Sequence, residues 1–262
     1  MAGRLAYELL EPIGHGESSE VFRARGPDGN KIAVKLIAGD EARRPGLLDR
    51  LAAEVALSRR LGAAGLVALL DSGLLSGRPF LAMELIEGTT LAAGMAAGPM
   101  PVRRSLAVTG AVAATLDAIH RAGAVHRDVK PGNVMLRSGD VPVLMDLGVA
   151  ALGPADFRPG TELVGSPGFL APEVIDDRPF DGKADVFALG VVLYMLLTGT
   201  RPFDGTMEQV MRAIRREEPP PPSTLASDLP IGVDRIVARA LAKDPARRSS
   251  AADLALALMQ LL

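Results

Sequence analysis

His126-Arg127-Asp128-Val129-Lys130-Pro131-Gly132-Asn133, with Asp146-Leu147-Gly148 beginning thirteen residues beyond it, gathers two carboxylates, an ammonium and a carboxamide. The first run reads as loop, the second as the exit of a short hairpin. Asp128 and Asn133 are five apart on that loop and share no helix face. Both residue types favour turns for reasons unconnected with chemistry. They also carry chemistry: Asp128 can accept a proton, Lys130 can neutralise an anion, and Asn133 with Asp146 offers the oxygen donors a hard divalent cation prefers.

Upstream, the chain reads as strands. Tyr7 to Ile13 and Glu20 to Arg25 flank a glycine-rich turn, Gly14-His15-Gly16-Glu17-Ser18-Ser19-Glu20-Val21. Taken alone, that turn serves equally as an ordinary hairpin or as a cradle whose backbone N–H groups meet phosphate oxygens. Pro27-Asp28-Gly29-Asn30 predicts a hairpin connection. In Lys31 to Ile37, Ile32, Val34 and Leu36 fall on one face, and Ala33 and Lys35 on the other. A lysine in mid-strand is commonly an exposed edge residue, and it needs an anionic partner if covered. Leu47 to Leu61 repeats Leu48, Leu51 and Val55 at helical spacing with Glu54 beside the stripe. Two more strands are expected at Leu66 to Leu70 and Phe80 to Leu85, with Gly73 and Gly77 between them, and a hinge at Glu87-Gly88-Thr89.

Downstream, helices dominate. Pro101 to Ala122 is a long helix leading to the opening loop. Short strands are expected at Val134 to Leu136 and Val143 to Met145. Ala184 to Thr198 is apolar almost throughout and predicts a central buried helix. Pro219 to Pro222 is a stiff connector within the domain, because helical segments resume at Gly232 and Ser249.

Composition narrows the function classes. The 262 residues are 48% hydrophobic, ample for a core, and the net charge of −2 argues against a nucleic-acid binder driven by bulk charge. No cysteine is present, so disulfides, thiolate catalysis and zinc–thiolate sites are excluded. The apolar run from Val186 to Thr198 falls short of the roughly 20 residues that cross a membrane. No apolar signal region opens the sequence, and a cytoplasmic location is expected.

Further motifs appear in order with these: Ala33-Val34-Lys35, Ala171-Pro172-Glu173 and Asp185-Val186-Phe187-Ala188-Leu189-Gly190. Together the motifs resemble those of eukaryotic-type (Hanks-type) serine/threonine protein kinases of the kind also found in bacteria, over nearly the whole chain. The resemblance implies an α+β, two-lobed fold, one kinase domain over residues 1–262. A small β-rich lobe with one helix would cover about 7–86 and a larger helical lobe 87–262, with a cleft between. It implies transfer of the γ-phosphoryl group of Mg·ATP to serine or threonine hydroxyls of proteins, the chain itself included.

Roles follow residue by residue. Asp128 is the implied catalytic base, and Lys130 the neutraliser of the transferring phosphate. Asn133 and Asp146 are the magnesium ligands. Ile13, Gly14, His15, Gly16, Glu17, Ser18, Ser19, Val21, Ala33 and Lys35 are implied in ATP binding, with the backbone of Glu84 and Ile86 on the purine edge. Glu54 pairs with Lys35, and Arg127 clamps a phosphate whose best acceptor is Thr161. Ser166 belongs to the substrate-binding loop, Glu173 and Arg248 form a structural ion pair, and Asp185 braces the catalytic loop. His126 is structural. His120 reads as a helix-end histidine and His15 as a loop-tip residue. Ser19 replaces the usual third glycine and Leu147 the usual phenylalanine, both mild departures. ATP, magnesium ion and protein substrates are the expected partners, with no nucleic acid and no membrane span, and with a homodimer for autophosphorylation. The intact set of Lys35, Glu54, Asp128, Asn133 and Asp146 disfavours a pseudokinase scaffold. The Ala171-Pro172-Glu173 and Gly165-Ser166-Pro167 segments disfavour a small-molecule phosphotransferase.

Overall fold

The structure is a computed structural model describing residues 7–16, 18–96, 98, 100–147 and 166–262. They form two compact units: residues 7–62 with Leu66–Glu87, and Ala63–Gly65 with the described residues from Gly88 to Leu262.

The first unit is an antiparallel sheet with one long helix. Strands β1 (Glu8–Gly16), β2 (Ser19–Arg25) and β3 (Lys31–Ile37) precede α1 (Leu47–Leu61), and β4 (Leu69–Leu75) and β5 (Arg78–Glu84) follow it. The sheet order is β1-β2-β3-β5-β4. Ile32, Val34 and Leu36 join Ala24, Phe80 and Ala82 in the core, which leaves Lys35 on the opposite face, as the alternation predicts. Helix α1 packs against β4 and buries Leu47, Leu51, Glu54 and Val55. It ends where Gly62 turns left-handed (φ 47°) and returns its N–H to the Ser58 carbonyl.

Two expectations need correction here. Most of the glycine stretch is strand: Gly14 pairs with Val21, His15 with Glu20 and Gly16 with Ser19, which confines the connection to the residues between Gly16 and Ser19. Neither glycine has a positive φ; close approach is what matters, since a Cβ on Gly16 would lie 3.1 Å from Ser19 Oγ. The strand expected at Leu66 to Leu70 lies later, at β4. Ser58 Oγ donates to the Val67 carbonyl (3.2 Å) and accepts from the Leu69 N–H (3.0 Å), pinning that apolar run to α1 before the strand begins. Gly73 therefore sits inside β4, opposite Phe80.

The second unit opens with β6 (Gly88–Thr90), so the expected hinge is partly a strand, paired with β7. Then come α2 (Leu91–Met95), α3 (Val102–Arg121), β7 (Val134–Arg137), β8 (Val141–Leu144), α4 (Pro172–Ile175), α5 (Lys183–Thr198), α6 (Met207–Arg216), α7 (Val233–Ala240) and α8 (Ala251–Met259). Helix α5 is buried on nearly every side, against α3, α7 and α8. Gly190 permits the close crossing with α7, because a Cβ there would stand 2.8 Å from that of Ala240. Capping boxes at Thr206–Gln209 and Ser250–Asp253 start α6 and α8. None of the described helices is long and apolar enough to cross a membrane.

Candidate active site

The loop between α3 and β7 is held from below by one carboxylate. Asp185, on the first turn of α5 and 1% exposed, accepts the backbone N–H groups of His126 and Arg127, each at 2.8 Å. It also accepts from His120 Nε2 at 2.8 Å. Burial alone would push this carboxyl up. The His120 hydrogen bond, the two histidines and the His126 N–H outweigh it, and Asp185 stays below the usual carboxylate range. Arg127 needs that restraint, since its φ of 72° is left-handed and uncommon for a side-chain-bearing residue.

His126 ties this loop to the next. Its ring is fully buried; Nδ1 faces the Asp128 N–H (3.4 Å) and Nε2 the Met145 carbonyl (2.9 Å). Contacts at both ring nitrogens fix the ring in place, which fits a structural role. Met145 also gives its N–H to the Asn133 carbonyl at 2.7 Å. The residue before Asp146 is thus fixed to both ends of the opening stretch. Asp146 itself takes a left-handed φ of 64°.

Three side chains converge on Asp128. Lys130 Nζ reaches Oδ2 at 2.7 Å and Asn133 Nδ2 reaches it at 2.8 Å. Ser166 donates from Oγ to Oδ1 at 3.2 Å while accepting from Lys130 Nζ at 2.9 Å. The Ser166 hydroxyl therefore sits between the Lys130 ammonium and the Asp128 carboxylate. Asn133 spends Nδ2 on the carbonyl and carboxylate of Asp128, and its Oδ1 is the atom that could face a metal ion. A carboxamide oxygen and the Asp146 carboxylate are the donor types magnesium takes, so the residues present fit that ion.

In the β-rich unit, Lys35 pairs across the sheet with Val21 and Leu81, and Ala33 with Arg23 and Met83. Glu54 is only 8% exposed on α1. Ala33 and Ile86 are buried, while Ile13, Gly14, His15 and Gly16 are exposed along β1. Glu84 gives its N–H to the Ala68 carbonyl and takes the Ala68 N–H on Oε1, both at 2.9 Å. Glu17, Thr161 and Gly165 lie outside the described residues.

Farther from the loop, Arg248 forms a buried two-pronged pair with Glu173 (2.5 and 2.6 Å) and donates to the Ala242, Lys183 and Lys243 carbonyls. This pair joins the segment after Ser166 to the region preceding α8.

A protein kinase domain model matches residues 7–257. The chain belongs to the protein kinase family. Its kinase domain is 34% identical over 253 residues to the serine/threonine-protein kinase Pkn1 of Myxococcus xanthus, covering 93% of this chain and 36% of that protein. It is 34% identical over 247 residues to PknE of Mycobacterium bovis, covering 92% and 43%. It is likewise 34% identical over 258 residues to PknD of Mycobacterium tuberculosis, covering 96% and 39%. The chain thus spans about two fifths of the length of these bacterial kinases.

Sequence reasoning passed over His120. Its partner lies 65 residues away, and a histidine ending an amphipathic helix carries no local mark of it. Gly182 gives the other hint: a Cβ there would stand 2.5 Å from the His120 ring, so the pair is packed as a unit.

Proposed function

We propose that this domain is an active protein serine/threonine kinase, transferring the γ-phosphoryl group of Mg·ATP to hydroxyls on protein substrates. The observation that carries the reading is Ser166 Oγ on Asp128 Oδ1 at 3.2 Å with Lys130 Nζ bonded to both residues. Asp128 takes the hydroxyl proton as the new O–P bond forms and the bond from phosphorus to the β–γ bridging oxygen breaks, releasing ADP. Lys130, 2.7 Å from the same carboxylate, stands where it can balance charge on the phosphoryl oxygens. Asn133 and Asp146 would hold magnesium, which supplies charge neutralisation at the phosphates.

In the other unit, Gly14, His15, Gly16, Ser18 and Ser19 line the phosphate end of the nucleotide, and Ile13, Val21 and Ala33 its base. Lys35 takes phosphate oxygens and pairs with Glu54. The Glu84 N–H is engaged by Ala68, so a purine contact there falls to its carbonyl, with the Ile86 N–H beside it. Arg127, whose guanidinium lies 4.9 Å over the Phe180 ring, is the proposed clamp for a phosphate on Thr161. A second copy as autophosphorylation partner, a cytoplasmic setting and the absence of a nucleic-acid partner belong to the same reading.

The test is transfer of labelled phosphate from ATP to a generic basic protein with magnesium, beside Asp128→Asn. Loss of the base should cost on the order of 10²–10⁴ in kcat while nucleotide binding persists. Undiminished transfer by Asp128→Asn would overturn the assignment.

A further inference from the structure

Two residues after Ser166, at Gly168, the backbone runs beneath an arginine that the mechanism does not use. Arg201 follows α5 in the Thr198–Pro202 turn. A Cβ built on Gly168 would lie 3.7 Å from Arg201 Nη1, so the guanidinium stands beside a stretch of backbone that offers it no side chain. Arg201 is exposed and forms no ion pair or hydrogen bond among the described residues. Arg215 and Arg178, by contrast, both bind Asp176, at 2.6 Å and 3.3 Å. The short 3-10 turn Pro167–Phe169 rests against α5 and α6, which fixes Gly168 and limits how far the site can shift.

Distance along the chain sets what Arg201 meets. The acceptor hydroxyl must come to Asp128, where Ser166 Oγ now lies at 3.2 Å. Gly168 is two residues from Ser166, at most about 7 Å of extended chain. A substrate segment bound along Pro167–Phe169 would therefore bring a side chain within about three residues of its acceptor to the guanidinium. A planar fork of N–H donors favours a carboxylate bound through both oxygens. We propose that Arg201 is a specificity-determining residue selecting protein substrates with an acidic side chain within three residues of the phosphorylated hydroxyl. The inference rests on Asp128 as the base, assigned above.

A positional scan tests it. Peptides with one central threonine among alanines carry Glu or Lys at each position from −3 to +3, and kcat/KM is measured for wild type, Arg201→Gln and Arg201→Glu. The wild type should favour Glu over Lys by about three- to tenfold at one or more positions, the scale of an exposed ion pair, and less so at high salt. Arg201→Gln should bring that ratio towards one, and Arg201→Glu should invert it. Because the ratio is internal to each enzyme, a general loss of activity leaves it readable. Transfer by all three proteins with the same ratio at every position would overturn this inference and leave the kinase reading standing. A wild type no more active than Asp128→Asn on every peptide and on basic protein would overturn both.

Discussion

His120 Nε2 donates to a carboxylate that also holds two backbone N–H groups of the loop carrying Asp128, so any effect of His120 on the proposed transfer would run through Asp185. Removing it leaves one oxygen of a buried anion short of a donor, a loss of roughly 1–3 kcal/mol. We expect His120→Ala to lower kcat about tenfold, the rate equivalent of about 1.4 kcal/mol, with KM for ATP little changed. His120→Gln places an amide N–H near the position of Nε2 and should recover most of the loss. Steady-state kinetics on both variants check this; a fall in KM affinity alone, or no recovery with glutamine, would assign His120 to packing. Residues such as Asp128, Asn133 and Asp146 were legible because they cluster in sequence. His120 was not, because its meaning depends on a helix that begins 63 residues later.

Helix α5 shows how tightly one element can depend on a missing side chain. Gly190 faces Ala240 and Leu241 of the α7 region, and a methyl group would stand 2.8 Å from one carbon and 3.1 Å from another. Gly190→Ala gains helix propensity yet forces the two helices apart. We expect a net loss of about 1–3 kcal/mol, read as a lower denaturant midpoint with an unchanged slope. A stabilised variant would show that the crossing relaxes freely. At this scale most of the fold could be read from pattern. Alternation placed Ile32, Val34 and Leu36 inside, and the uniform apolarity of α5 announced its burial. Pattern failed at β4, where an edge strand carries Asp71, Ser72 and Gly73, while the apolar run before it is captured by Ser58. It failed again at β1, because glycines that usually break a strand here continue it up to the hairpin.

Across the whole molecule, one cation ties pH to stability. Lys243 Nζ is enclosed beside the Phe203 ring at 4.2 Å and the Phe187 ring at 5.8 Å. Burial, offset by Glu218, reinforced by Arg248 and offset again by Glu217, brings its pKa down to about 8. The unfolded chain keeps an ordinary lysine near 10.4, so below pH 8 both states hold the proton and the native state bears the full penalty. Between about 8 and 10.4 the unfolded state binds more protons, and stability contributed by this group should rise with pH. Lys243→Met should flatten that rise and raise the melting midpoint at pH 7. Thermal unfolding from pH 7 to 10.5 measures both, and parallel curves for the two proteins would rule Lys243 out as the source.

The Glu173–Arg248 pair spans 75 residues. During synthesis, at about 5–20 residues per second, Glu173 leaves the peptidyl-transferase centre about 4–15 s before its arginine exists. Through that interval the nascent polypeptide carries a carboxylate whose burial has no counter-charge, and the segment next to Ser166 has nothing to lock against. That lock can close only once Arg248 has been made, so this part of the helical unit cannot settle in the order in which it is synthesised.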